Sequence, residues 1–492
     1  MGTDIGKEEF DERDYSRFAE RLEECLAVLA RLLNRPGFGT GPATIGAELE
    51  LFLIDSAGQP LPCNQAIRAA VADPRVTVEL DRFNLELNAS PVVLAGRPFT
   101  TLGGELNLLV DRVADAAKDH AGRPALIGIL PTLSEADFDP GAMTDLPRYR
   151  ALDGSLRRLR QDRFRIQIAG EHPLELASAE VALEGANSSF QVHLRVAPDD
   201  FTRTYNAVQL ATAPVLAVSG NSPTFLGHRL WEETRIAVFK QSADDRPSHG
   251  PRRRSARITL GTGWLRGGPL ELFTESIRLY QPLLPVLSGP MASSAGEQAP
   301  PLDELRLHQS TVWRWNRAIY DPAWGGHLRI EMRALPAGPT TIDMLANAAF
   351  LVGLSLWLAA QDQHWTYAVP FERADHGFYR AAQHGLSAQL SWPAGPRDQM
   401  RTVPAAKLIA ELVPAARQGL LEAGVAADEA NGLLNVISAR AASGQTGAAW
   451  QRATLAAAER HHDRQRALAI MLDHYLQWAA TGLPVHTWPA AS

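Results

Sequence analysis

The 492-residue chain carries 48 Lys and Arg against 55 Asp and Glu, a formal net charge of -7, with 45% hydrophobic and 21% charged residues. This mildly acidic composition fits a folded protein of one to three domains and gives no basis for a nucleic-acid partner. The two cysteines, Cys25 and Cys63, are far apart and lack metal-type spacing, so the expectation is a reducing, cytoplasmic setting and no thiol nucleophile.

Residues 1–13 are polar and acidic, unlike a signal peptide. Residues 14–34 predict an amphipathic helix, with Phe18, Leu22, Cys25, Leu26, Leu29 and Leu32 or Leu33 on one stripe, ended by Pro36 and the following glycines. A strand over 46–55 runs into a turn at Ser56-Ala57-Gly58, and a second strand is expected within 79–88. A helix over 101–120 and a short apolar strand over 125–130 come next. A third strand spans 189–196, and an apolar helix over 201–219 is closed by Asn221-Ser222-Pro223. Residues 285–301, rich in Pro, Ser, Gly and Ala, predict a mobile loop, and a fourth strand spans 327–333. The apolar run 344–360 contains Asn347 and Ser355 and predicts a buried helix, with no membrane partner. From Lys407 onward the chain is helical and alanine-rich, and no internal repeat is visible.

Four of these strands sort chemical side chains from apolar ones, because a strand alternates faces with period two. Glu48 and Glu50 share a face, as do Gln191, His193 and Arg195, and as do Arg329, Glu331 and Arg333. The second stretch carries Glu79 and Glu86, seven residues apart. An odd offset puts them on opposite faces of a straight strand, and a turn or bulge at Asp81-Arg82 restores a common face. Strands that alternate this cleanly suit an antiparallel sheet with one covered face, and long helices lie between them. The pattern is α+β: a curved sheet packed on helices by its apolar face, with a site on its polar face.

Any one of these pairs alone reads as a solvated strand edge or an in-strand neighbour pair. Together they concentrate Glu, His, Gln, Asn and Arg where a merely wet face would mix in Lys, Thr and Ser. Carboxylates with one imidazole and no thiolate suit magnesium or manganese rather than zinc. The four lysines, Lys7, Lys118, Lys240 and Lys407, lie in no G-x-x-x-x-G-K-[ST] loop, and no strand leads into G-x-G-x-x-G. A bound phosphate must then be held by arginine, metal or backbone amides. The segment 308–317 interleaves Trp313 and Trp315 with Arg314 and Arg317, a pattern for stacking a base, clamping an anion, or packing a surface. Arg252, Arg253, Arg254 and Arg257 read as a solvated loop.

With these residues in hand, the chain resembles the plant-type glutamate–cysteine ligases and the bacterial carboxylate–amine ligases of the glutamine-synthetase-like superfamily. The likeness rests on six motifs in order: Gly46-Ala47-Glu48-Leu49-Glu50; Glu79 with Glu86; Gln191-Val192-His193; Ser219-Gly220-Asn221-Ser222-Pro223; His308 to Arg317 as H-x-x-T-x-W-x-x-x-R; and Glu331-Met332-Arg333. The resemblance implies a half-barrel antiparallel sheet that binds ATP and Mg2+ (or Mn2+), phosphorylates the side-chain carboxylate of glutamate, and lets an amine attack the acyl phosphate. It implies Glu48, His193 and Glu331 as ligands of one ion and Glu50, Glu86 and Glu79 as ligands of another. Arg333 is similar to the arginine beside the moving phosphoryl group, with Glu331 as its catalytic neighbour. Arg235 is a candidate for a substrate carboxylate, and Gln191, His308, Arg314 and Arg317 for nucleotide or substrate contacts. A catalytic domain over 1–400 and a packed helical region over 401–492 are expected. Leu49 stands where many carboxylate–amine ligases have a third consecutive acid, and Q-V-H blends two subfamilies. The amine is therefore open, another acid or a non-catalytic nucleotide-binding regulator of the same fold remains an alternative, and a homo-oligomer is compatible with all of these.

Overall fold

In the computed structural model the sheet begins with β1 (Thr44–Asp55), whose odd-numbered Leu49, Leu51 and Leu53 are fully buried. The structure describes residues 5–139, 141–179, 181–247, 255–289, 299–361, 365–394 and 400–489. β2 (Val76–Val78), β3 (Asn84–Val93) and β4 (Gly122–Ala125) follow, then a separate hairpin of β5 (Phe164–Ile168) and β6 (Leu174–Ser178). After β7 (Phe190–Val196) come a two-residue-per-strand hairpin of β8 (Thr224–Phe225) and β9 (His228–Arg229), then β10 (Asn316–Asp321), β11 (His327–Met332) and a last hairpin, β12 (Gln389–Pro393) with β13 (Met400–Pro404).

Seven strands make the main sheet in the order β10-β11-β7-β1-β3-β2, with β4 added on β1. Every pair in it is antiparallel, and the sheet curls into a half-barrel. The α+β expectation therefore holds. Helices Pro98–Lys118, Pro198–Ser219 and Thr341–Ala360 bury their apolar faces in the same core as Leu49, Leu85, Leu87, Val192, Leu194 and Ile330. Thr341–Ala360 is long and apolar enough by composition to cross a membrane, yet 83% of its apolar window is buried inside the fold.

A second core lies on the opposite face. Phe52 and Ile54 share parity with Glu48 and Glu50, yet both are fully buried, among Phe83, Ile127, Ile129, Ile166 and Phe225. The polar face of β1 is thus open at one end and roofed at the other. This explains why only Ala125 of the stretch expected as a strand over 125–130 belongs to one. Beyond it Ile127, Ile129 and Leu130 fill the second core, while the Leu126 carbonyl accepts from the Tyr475 hydroxyl at 2.8 Å and the Gly128 carbonyl from the Ser188 amide at 2.9 Å. Side-chain and loop partners take the place of a ladder. The expected helices at 14–34, 101–120, 201–219 and 344–360 are present as Glu12–Leu33, Pro98–Lys118, Pro198–Ser219 and Thr341–Ala360. Of the expected loop 285–301, residues 290–298 lie outside the described residues, as do Arg252, Arg253 and Arg254. Arg257 is no solvated loop residue: it is fully buried and donates to Asp245 at 2.5 Å.

The C-terminal helices are built into both cores. Leu408, Ile409, Leu420, Leu434 and Ile437 join the first, and Trp450, Leu472, Tyr475 and Trp488 join the second. Arg440, 1% exposed, donates to Asp343 Oδ1 at 2.7 Å, to Asn347 Oδ1 at 2.6 Å and to the Val218 carbonyl at 3.1 Å. Asp343 also accepts from the Val485 amide at 3.0 Å, which ties the chain's end to the central helix. Arg440→Ala strands that carboxylate in the interior and is expected to cost about 3–5 kcal/mol of unfolding free energy, read by urea titration. A loss below about 1 kcal/mol, the value of an exposed pair, refutes the role given to this contact.

Candidate active site

The site follows from sheet register. Arg317 on β10 faces Glu331 on β11, Glu331 faces His193 on β7, and His193 faces Gly46 on β1, two residues from Glu48. One donor atom each from Glu48, His193 and Glu331 lies within 4.8 Å of the others, and this is the one such trio among the described residues. His193 Nε2 is 3.1 Å from Glu48 Oε1 and 4.0 Å from Glu331 Oε1, while Nδ1 of this buried imidazole has no partner. Burial pushes the Glu48 carboxyl up, and the charge of His193 more than reverses this, holding it well below the usual range. Burial is likewise outweighed at Glu331, where Arg317, Arg333 and His193 hold the carboxyl down at about 2.

Two guanidinium groups grip Glu331 from either side. Arg317 donates Nε to Oε2 and Nη2 to Oε1 at 2.9 Å, a bidentate pair, and Arg333 donates Nη1 to Oε1 at 3.1 Å. Arg333 Nη1 also donates to Gln191 Oε1 at 2.5 Å, and Gln191 Nε2 donates to Glu50 Oε1 at 2.9 Å. The Ser189 amide donates to Glu50 Oε2 at 2.7 Å. A continuous chain of hydrogen bonds thus links Arg317, Glu331, Arg333, Gln191 and Glu50.

Glu50 faces Glu86 directly across β1 and β3. Burial and the Glu86 charge push Glu50 up to about 7. Glu79 and Glu86 do share a face, through the turn rather than the bulge of the two expected alternatives. They sit on the two arms of a hairpin: Thr77 on β2 is opposite Glu86, and Glu79, two residues after Thr77, points to the same side. The stretch expected as one strand within 79–88 is therefore a strand end, a turn and β3. Burial, with Glu86, Glu50 and Glu184 nearby, pushes Glu79 well above the usual carboxyl value. Glu86 accepts from Asn88 Nδ2 at 2.9 Å and Thr77 Oγ1 at 3.2 Å. Unlike the first trio, Glu50, Glu79 and Glu86 are not gathered to metal-ligand distance.

These side chains open into one cavity of about 520 Å3, lined by Glu48, Glu50, Glu79, Glu86, Gln191, Arg317 and Arg333. Trp313 also lines it, while Trp315 is core, packed edge-on against Phe239. His193 and Glu331 are not among the residues lining the cavity, and three further expected residues lie apart from the site. Arg314 is buried and paired with Glu275 at 2.9 Å. Arg235 is buried, donates to the Ala334 carbonyl and lies 3.7 Å from Glu233. His308 is buried and donates Nε2–H to the Ser276 carbonyl at 3.0 Å. The turn Ser219–Pro223 is also structural: Asn221 Nδ2 donates to the Ala337 carbonyl at 2.7 Å and to the Tyr475 hydroxyl at 2.9 Å. Sequence reasoning missed Glu184 and the cavity's apolar side, Leu152, Leu156, Val181 and Leu284. Glu184 sits on a 3-10 turn, Val181–Ala186, where no strand period flags it.

Residues 44–469 match Glutamate-cysteine ligase family 2 (GCS2). The chain belongs to this family. A glutamate–cysteine ligase of Haloquadratum walsbyi is 29% identical over 189 residues, 37% of this chain and 45% of that protein, so the match spans less than half of the relative's length. Among solved structures, a glutamate–cysteine ligase from Francisella tularensis in complex with AMP is similar at a TM-score of 0.49 and 12% identity, covering 90% of each chain. A bifunctional glutathione synthetase from Pasteurella multocida is similar at 0.47 and 11% identity, covering 93% of this chain and 55% of that one. Family membership rests on the match over 44–469.

Burial lowers the His308 imidazole from 6.5 to about 4. The unfolded chain therefore takes up this proton first as pH falls, and stability present above about pH 6.5 drains away between 6.5 and 4. His308→Gln keeps a donor for the Ser276 carbonyl and removes the titration. The wild type is expected to lose roughly 2–3 kcal/mol more than the variant between pH 7 and pH 4, by denaturant unfolding at each pH. Parallel pH profiles refute the assignment.

Proposed function

We propose that the protein is an ATP-dependent ligase that activates a carboxylate, the side chain of glutamate in the favoured reading, as an acyl phosphate and joins it to an amine, as a glutamate–cysteine ligase does. The observation that carries this is the Glu48–His193–Glu331 trio set beneath Arg317 and Arg333, in a chain of the GCS2 family. The division into a catalytic unit over 1–400 and a helical region over 401–492 packed on it is part of the same reading. So is the placement of Glu48, His193 and Glu331 around one cation and Glu50, Glu79 and Glu86 around another.

The residues fit a hard cation. His193 is 8% exposed, its Nδ1 has no partner and its Nε2 meets the Glu48 carboxylate at 3.1 Å, a donor set open to a cation. When bound, Mg2+ or Mn2+ supplies charge neutralisation at the transferring phosphoryl group. The chain's own groups do the rest. Arg333 and Arg317, fixed by Glu331, hold positive charge at the cavity wall where a phosphate oxygen gains it. Gln191 pins Arg333 and Glu50 together, which keeps the wall pre-formed. A carboxylate oxygen attacks the terminal phosphorus and ADP leaves. The amine nitrogen then attacks the acyl carbon and phosphate leaves with the carboxylate oxygen.

Glu331→Gln and Glu48→Gln are expected to leave a folded protein whose turnover falls at least about a hundredfold, the scale for removing one charge-stabilising group. Near wild-type ADP release by either variant removes the site assignment. The bond broken is read separately. ADP and phosphate are the expected products, and oxygen-18 from the substrate carboxylate is expected in the phosphate. Pyrophosphate, or label in AMP, overturns the acyl-phosphate route.

A further inference from the structure

The acids of the cavity wall differ in how they are held. Glu331 is gripped by two arginines, Glu50 by Gln191 and the Ser189 amide, and Glu86 by Asn88 and Thr77. Glu48 lies against His193, and Glu79 accepts from the Leu80 amide at 3.2 Å. Glu184 also lines the cavity, yet among the described residues its carboxylate has no hydrogen bond and no ion pair. A second carboxyl stands behind it. Asp81 is fully buried, neither of its oxygens has a partner, and Oδ2 lies 2.2 Å from where a Cβ on Gly185 would sit. Burial and the Glu184 charge push Asp81 well above its ordinary value.

Glu184 itself is half-buried, and an acid facing a cavity with no internal partner is free to take a cation that offsets its desolvation. Glu184 belongs to no set of three metal-type donors at ligand distance among the described residues. The cavity that Glu184 lines also carries Val181 on the same turn, Leu152 and Leu156 on the helix Pro147–Arg160, and Leu284, while Glu50, Glu79 and Arg333 act on Glu184 or feel its charge. A carboxylate with no internal partner, in a cavity that has an apolar side, matches a primary ammonium group carried on a partly apolar molecule.

We propose that Glu184 is the docking carboxylate for a substrate ammonium group, with Leu152, Leu156, Val181 and Leu284 seating that molecule's apolar part. This rests on the ligase reading. The ammonium comes either from the incoming amine or from the α-position of the acid being activated. In either case Glu184 is a specificity-determining residue that touches substrate without taking part in phosphoryl transfer.

The test uses the full chain with ATP and Mg2+. Wild-type ADP release across glutamate and a panel of amines tests the ligase reading alone. Glu184→Gln, nearly isosteric, is then compared with it. The KM of the ammonium-bearing substrate is expected to rise roughly ten- to hundredfold, with KM for ATP unchanged, the scale for losing one charged hydrogen bond. A rise in the amine's KM assigns the group to the amine. A rise for glutamate, with collapse of the preference for glutamate over glutarate, which lacks the ammonium, assigns it to the acid. Calorimetric titration of glutamate and of each amine in the presence of a non-hydrolysable ATP analogue gives the same comparison if turnover is lost. Glu184→Asp, which keeps the charge, is expected to retain most of the affinity and serves if the Gln variant is unstable in thermal unfolding. Unchanged KM and unchanged calorimetric affinity for both substrates overturn the proposal, whether or not the wild type proves to be a ligase.

Discussion

Everything at the site hangs on one cross-strand row. Arg317, Glu331 and His193 stand opposite one another on β10, β11 and β7, and Glu48 stands one diagonal step further on β1. In an antiparallel sheet, facing side chains are a few ångströms apart and diagonal ones remain in reach. Residues separated in sequence by as much as 283 positions are thereby gathered without any loop having to fold over them. A slip of one residue in β11 would turn Glu331 into the apolar core and bring Met332 to the cavity. The burial of Leu328, Ile330 and Met332 on the other face opposes that slip.

The row is electrostatically strained and balanced locally. Five acids line one cavity together with four arginines, Arg68, Arg148, Arg317 and Arg333. Glu331 sits at about 2 because two guanidinium groups flank it, while Glu50 and Glu184 sit near 7 because burial and their acidic neighbours act in the same direction. Identical side chains on one wall thus differ in readiness to carry charge, and position relative to Arg317 and Arg333 decides which.

The C-terminal helices hold this wall from behind. Tyr475 donates to the Leu126 carbonyl and accepts from Asn221, and Trp450 and Trp488 close the core that roofs the far half of β1. Removing that support would expose Phe52 and Ile54 on the same strand face that carries Glu48 and Glu50.

Alternation by itself determined the acid-bearing strands, the apolar helices and the shared faces of Glu48 with Glu50 and of Glu331 with Arg333, because period two is a local property of an extended backbone. It also marked His193 and Gln191. The resemblance, not alternation, put Arg314, Arg235 and His308 at the site, since a motif names a residue without saying whether an internal partner such as Glu275 or the Ser276 carbonyl already holds it. Alternation missed Glu184, which lies on a turn with no period, and 125–130 was taken for a strand because buried loop and buried strand are equally apolar. Which acids share a cavity, which are paired and which stand alone were decided only by the tertiary structure, because charge interactions and burial depend on distances between segments far apart in the chain.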